Sequence, residues 1–325
     1  ARWDLERLVN DPVTQHTFYQ RGFKEGGFNE SQTLSVQYGG FLGAVELWDC
    51  KFFGVASAEA ACMDPQQRLL LEMGYAALHG ASKRRTNCMQ TDAGVFVGIE
   101  RPDWPFIKDR VPEITKAAYG MGDPPCVASG RISFTLGFHG PCSSIDAACA
   151  SALTAVHGAH ACVEAGESST ALGESVSLKL LPFATLGMSL ANMLSTDGRC
   201  KTFDVRANGM VRSEATGAAY LVPQDDFGPT LARIGHTVVG QDGRSASLTA
   251  PNGLAQSMVI KRIMKGAGID ATGIDCIQAH GTGTPLGDPT EAGSLAAVVF
   301  YEFVFKKARE LCNRQDESEE SNSEQ

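Results

Sequence analysis

Apolar positions fall along the chain in two rhythms. Residues 93–99, Ala93-Gly94-Val95-Phe96-Val97-Gly98-Ile99, form an unbroken apolar run that predicts a buried strand. A short extended run follows at 143–147, and strand-like patterns recur at 218–222, 231–239 and 274–279. Between these lie helical patterns. Residues 65–73 read as a helix, with Asp64 as N-cap and Pro65 in the first helical position. Residues 149–163 are small or apolar almost all round, which predicts a buried helix. Further helices are predicted at 254–266 and from 289 to about 307. Glycine, with 35 residues, sits mostly at the ends of apolar runs, as tight strand–helix turns require. The order of strands and crossover helices favours a layered α/β fold.

Composition sharpens this picture. A chain with 43% hydrophobic and 20% charged residues is not disordered over its length. The net charge of −9 argues against a nucleic-acid partner, because nothing offsets phosphate charge. Five acids, Asp316, Glu317, Glu319, Glu320 and Glu324, lie in residues 315–325 without one base. About half the acidity therefore belongs to a tail that reads as solvated and disordered. The ten cysteines are scattered, with no C-x-x-C pair, which favours free thiols in a reducing compartment. The first residues, Ala1-Arg2-Trp3-Asp4, carry charge and no apolar signal region. The longest apolar run, 292–301, is too short to span a bilayer. The expectation is a soluble intracellular protein, cytoplasmic or in an organelle.

Two segments carry chemistry. Gly140-Pro141-Cys142-Ser143-Ser144-Ile145-Asp146-Ala147-Ala148-Cys149 places a thiol where a strand turns into a helix. Unpaired N–H groups and the helix dipole favour thiolate there, and thiolate is the nucleophile of covalent acyl transfer. Ala148, Ala150, Ser151 and Ala152 are small and leave room beside the sulfur. On this segment alone, a cysteine that merely packs is an equal alternative. The second segment is Gln278-Ala279-His280-Gly281-Thr282-Gly283-Thr284-Pro285-Leu286-Gly287-Asp288-Pro289-Thr290-Glu291. It predicts His280 at a strand end, where α/β folds place active sites. Asp288 and Glu291 open the next helix, where acids suit the dipole. The loop has neither of the glycine-rich nucleotide patterns, so nucleotide binding is not expected. His157 and His160, one helical turn apart near Cys162, read as packing in preference to a metal site. Lys83-Arg84-Arg85 reads as solvated surface, and Cys142 as packing.

With these segments the chain resembles the β-ketoacyl synthases, the condensing domains of polyketide and fatty-acid synthases, and most of all the modular polyketide type. The resemblance also rests on Met63-Asp64-Pro65-Gln66-Gln67-Arg68-Leu69-Leu70-Leu71-Glu72, Gly130-Arg131-Ile132-Ser133-Phe134 and Leu194-Ser195-Thr196-Asp197-Gly198-Arg199-Cys200-Lys201. It implies a thiolase-like layered α/β fold of two similar halves. It implies acyl transfer to Cys149, then decarboxylative Claisen condensation with a malonyl-type extender on acyl carrier protein. His280 would hydrogen-bond the extender's thioester oxygen. Thr282 and Thr284 match positions that touch the phosphopantetheine arm. Asp288 and Glu291 match acids that support the site, Glu291 normally near a lysine. No metal and no directly bound cofactor is implied. The implied partners are acyl carrier protein and a second chain, as a homodimer or a pair with another ketosynthase chain.

The chain also departs from that pattern. The family's second histidine segment and a later Gly-Phe-Gly-Gly turn are absent from this sequence, as is the first strand. The expectation is a first half nearly complete over residues 1–225, a partial second half over 226–305, and an acidic tail over 306–325. The alternative to a working condensing enzyme is a catalytically impaired relative serving as dimer partner or carrier-docking scaffold. Arg212-Ser213-Glu214-Ala215 stands where the family has Arg-Gly-Glu-Gly, so strain is expected in that turn. Glu174 stands where the family has a second glycine and puts a charge near a predicted strand.

Overall fold

The computed structural model describes residues 30–107, 119–223 and 230–301. The chain divides into two compact units, Ala1–Gly198 with Val211–Arg233, and Arg199–Met210 with Ile234–Gln325.

The first unit contains helix α1 (Pro65–Gly80), strand β1 (Gly94–Ile99), helix α2 (Pro125–Leu136), strand β2 (Cys142–Ile145) and helix α3 (Ser151–Glu164). Strand β3 (Ala171–Ser177), helix α4 (Phe183–Leu190) and strand β4 (Ala215–Leu221) follow. The sheet order is β2-β1-β3-β4. β1 pairs parallel with β2 and β3, and β3 pairs antiparallel with β4. Alternate residues of β1 serve two layers. Val95, Val97 and Ile99 meet Leu70, Leu71, Ile132 and Leu136 of α1 and α2 in the main core. On the other face α3 packs against β1 and β3. It comes close because Gly98 has no side chain: a Cβ there would lie 2.6 Å from the Ser151 carbonyl.

Most of the predicted elements are present. Asp64 caps α1 by accepting the Gln66 N–H at 2.8 Å, with Pro65 in the first turn. The 149–163 pattern needs correction. Residues 148–150 form a tight 3-10 turn, and α3 starts at Ser151. Only one stripe of α3, with Ser151, Ala155, Ala159 and Cys162, is buried, while Leu153 is 77% exposed. Small residues all round permit burial but do not supply a second covering layer. Ser213 and Ala215 bring no strain, since neither has positive φ. Ser213 bridges to Gly40 in extended backbone.

The second unit holds helix α5 (Gly253–Ala267) and helix α6 (Gly287–Leu295), which runs on as a π-helical turn, Ala296–Phe300. Asn252 caps α5 by accepting the Leu254 and Ala255 N–H groups, and Gly268 ends it at φ +65°. Met264, Ala271, Val298 and Val299 form a small core. The patterns at 231–239 and 274–279 are not strands. Among the described residues the second unit contains no strand. An apolar rhythm makes a face, but a strand needs a neighbour to take its N–H and C=O groups. The predicted end of the last helix and the acidic tail lie outside the described residues, as do Arg2-Trp3-Asp4.

Candidate active site

Cys149 lies in the turn between β2 and α3, on the first unit, and its side chain is exposed. None of the described cysteines is in a disulfide. Cys142 is exposed on β2, so the packing role expected for it does not hold. The turn before Cys149 is built from backbone and short side chains. Ala148 has φ +50°, and its N–H is accepted by Asp146 Oδ1 at 3.0 Å. The Ser151 hydroxyl accepts the Ala147 N–H at 2.8 Å and donates to the Ala148 carbonyl at 2.7 Å. Ser151 is the residue that sequence reasoning undervalued. It was legible only as small, whereas its hydroxyl ties the turn together.

His280 is exposed and lies on the second unit, in a loop and not at the end of a strand. The two acids at the start of α6 hold that loop. Glu291 accepts the His280 N–H at 2.6 Å and the Gly281 N–H at 2.8 Å. Asp288, buried, accepts the Gly283 N–H at 3.0 Å and the Phe203 N–H at 2.6 Å. Glu291 thus binds backbone N–H groups where a lysine was expected near it. Gly283 has φ +74°, and a Cβ there would lie 2.8 Å from the Lys201 nitrogen, so only glycine fits. Thr202 Oγ1 donates to the Gly281 carbonyl at 2.6 Å. Thr282 and Thr284 are half-buried, with their hydroxyls 3.1 Å apart. A cleft of about 430 Å³ in this unit is lined by Asp242, Val259, Ile277, Ala279 and Glu291. Cys149 and His280 therefore belong to different units, each supported by its own local hydrogen bonds.

A buried polar cluster follows β1 and β3. Glu100 takes Lys179 Nζ at 2.5 Å and Arg212 Nη2 at 2.6 Å. Burial works to raise the Glu100 carboxyl. Hydrogen bonds from Lys179 and Ser177, with the charges of Lys179 and Arg212, outweigh it and hold the group below its usual range. Burial pushes the Lys179 ammonium down despite its Glu100 partner. Glu214 accepts the Lys179 and Leu42 N–H groups and joins the segments around the cluster. Arg85, part of the basic run read as surface, donates to the Phe52 and Phe53 carbonyls. His160 Nδ1 lies 3.6 Å from the Glu164 carboxylate, one helical turn on.

The profile of the family described as "Beta-ketoacyl synthase, N-terminal domain" matches residues 16–226, and that of "Beta-ketoacyl synthase, C-terminal domain" matches 231–302. The chain belongs to the β-ketoacyl synthase family. It is 37% identical over 300 residues to Erythronolide synthase EryA2 of Saccharopolyspora erythraea, covering 91% of this chain and 8% of that protein. It is 38% identical over 297 residues to a phenolphthiocerol/phthiocerol polyketide synthase subunit of Mycobacterium tuberculosis, covering 90% of this chain and 16% of the relative. Among solved structures, the ketosynthase from module 6 of the bacillaene synthase of Bacillus subtilis matches with TM-score 0.70 and 33% identity, over 81% of this chain and 46% of that one. An oxazolomycin ketosynthase domain of Streptomyces albus matches with TM-score 0.73 and 30% identity, over 79% and 45%. The chain thus spans a small part of these curated relatives and under half of the solved domains. Its α/β layers are those of the thiolase-like ketosynthase fold. Among the described residues no helix is long and apolar enough to cross a membrane.

Proposed function

We propose that this ketosynthase accepts an acyl group on Cys149 and joins it to a malonyl-type extender in polyketide or fatty-acid synthesis. The observation that carries the reading is the exposed Cys149 thiol in a hydrogen-bonded turn at the start of α3. In the first step the Cys149 thiolate attacks the thioester carbonyl of an acyl chain carried on phosphopantetheine, and the carrier thiol leaves. The extender then loses carbon dioxide. The resulting enolate attacks the acyl-cysteine carbonyl, and the Cys149 sulfur leaves with the bond electrons.

His280 hydrogen-bonds the extender's thioester oxygen, where negative charge develops. Thr282 and Thr284 contact the phosphopantetheine arm. Asp288 and Glu291 act through the loop, and their bonds to its N–H groups support that role. Residues 1–225 serve as the half bearing the nucleophile and 226–305 as a partial half bearing the histidine. Acyl carrier protein is the partner that delivers both substrates, and no cofactor is bound directly. A second ketosynthase chain, identical or not, completes a dimer. Among the described residues no strand pairs with the outer edge of β2, which supports pairing there.

Incubation with a short acyl thioester, read by intact mass, tests the first step. Wild type gains one acyl group and Cys149→Ala gains none; equal gain by both sinks the assignment. The reading of an impaired relative, a dimer partner or carrier-docking scaffold, is favoured by the lack of a strand among the described residues of the second unit and by the exposed His280. Release of β-ketoacyl product from malonyl carrier protein separates the two readings.

A further inference from the structure

We infer that Ser151 is a positioning residue whose hydroxyl holds the strained turn that presents Cys149, an inference that rests on Cys149 being the acyl-accepting thiol. The strain lies at one residue. Ala148, just before the thiol, has φ +50°. There a Cβ crowds the following carbonyl, and non-glycine residues stay only where the surroundings hold them.

The holding contacts converge on Ser151. Its Oγ accepts the N–H of Ala147 at 2.8 Å and donates to the carbonyl of Ala148 at 2.7 Å. One hydroxyl thereby engages the residue before the strained position and the strained residue itself. The Ala150 N–H closes onto the Ala147 carbonyl at 3.0 Å, and Asp146 Oδ1 takes the Ala148 N–H at 3.0 Å. Ser151 is itself fixed. It is 6% exposed, and its main chain lies against β1 at the position where Gly98 lacks a Cβ. Strand β1 thus supports Ser151, Ser151 holds Ala148, and Ala148 orients Cys149. If the hydroxyl is lost, the turn relaxes toward ordinary φ. The sulfur then leaves the helix entrance, where N–H groups and the dipole favour thiolate.

The test uses the whole chain and two probes, iodoacetamide and a short-chain acyl thioester of N-acetylcysteamine, with modification at Cys149 read by peptide mass from about pH 6 to about pH 10. Ser151→Ala is expected to slow acylation about tenfold and to raise the pH midpoint of alkylation by about half a unit. Ser151→Thr keeps the oxygen and restores most of both. Adding Ala148→Gly to Ser151→Ala returns both toward wild type, because glycine takes positive φ without strain. Alkylation of exposed Cys126 stays unchanged as the internal reference. The inference is overturned by an unchanged rate and midpoint in Ser151→Ala, or by no recovery in the double variant. It also falls if both variants lose their folded far-UV spectrum, since the hydroxyl then holds the fold and not the thiol. Absence of wild-type acylation at Cys149 would instead defeat the nucleophile reading, while the alkylation midpoint still reports on Ser151.

Discussion

The two units are written in the same alternation of apolar runs and helices, yet among the described residues only the first contains a sheet. In the first, β1 has β2 on one side and β3 on the other, with α1 and α2 on one face and α3 on the other. In the second, residues 234–239 and 274–279 carry comparable apolar runs and stay outside any strand. Ile234, Val239 and Ile277 are each about 40% exposed. Helices α5 and α6 still form, because a helix satisfies its own backbone groups within one segment. Local structure therefore survives where long-range pairing does not, and the strength of each unit follows from that difference.

The largest expected effect is in the main core. Leu71 is fully buried between α1 and the sheet, so Leu71→Ala should cost about 2–5 kcal/mol in denaturant unfolding. Met264→Ala in the thin second core should lie at the low end of that range. Equal costs would break the comparison. Next is native-state amide exchange. The amides of β1 should be protected about 100-fold more than those of α5, since α5 opens with little core behind it. Similar protection would show that the second unit is as cooperative as the first.

A smaller effect concerns one misfit inside the strong unit. Glu174 on β3 is 1% exposed, and neither carboxyl oxygen has a hydrogen-bond partner. It fits because Gly74 of α1 has no side chain; a Cβ there would clash with the Glu174 carboxyl oxygen. Burial pushes the Glu174 carboxyl well above its usual 4.5. The folded protein therefore keeps this proton where the unfolded chain has lost it. Stability should fall as pH rises above about 4.5, by about 1.4 kcal/mol per unit while only the unfolded state ionises. Glu174→Gln should remove that slope, so its advantage over wild type should grow with pH. A constant difference between the two would show that Glu174 ionises freely. The smallest effect is at the α1 cap. Asp64→Ala should cost about 1 kcal/mol, measured by thermal unfolding. Burial raises the Asp64 carboxyl to about 6. Its own pH slope therefore runs from about 4 to about 6, with stability falling as pH rises, and then ends.

Much of this was legible in the chain. Asp64 and Pro65 announce the start of α1, because a cap is a relation between residues two apart. The run at 93–99 announces β1. Cys149 and His280 stand out because thiol and imidazole sit in segments of unusual composition. Asp288 and Glu291 were also visible as acids opening a helix, though not as acceptors of loop N–H groups. Ser151 was not, since its role depends on the φ of Ala148 and on the bare backbone of Gly98, more than 50 residues away. The Glu174–Gly74 fit was hidden for the same reason.

Residue order alone settled the Asp64 cap of α1 and singled out two segments as candidates for chemistry, since each rests on relations between near neighbours. Tertiary structure decided which apolar runs became strands, which stripe of α3 was buried, and that Cys149 and His280 belong to separate units. Those outcomes depend on partners far along the chain. A hydrogen bond or a covered face exists only when the other half of it is there.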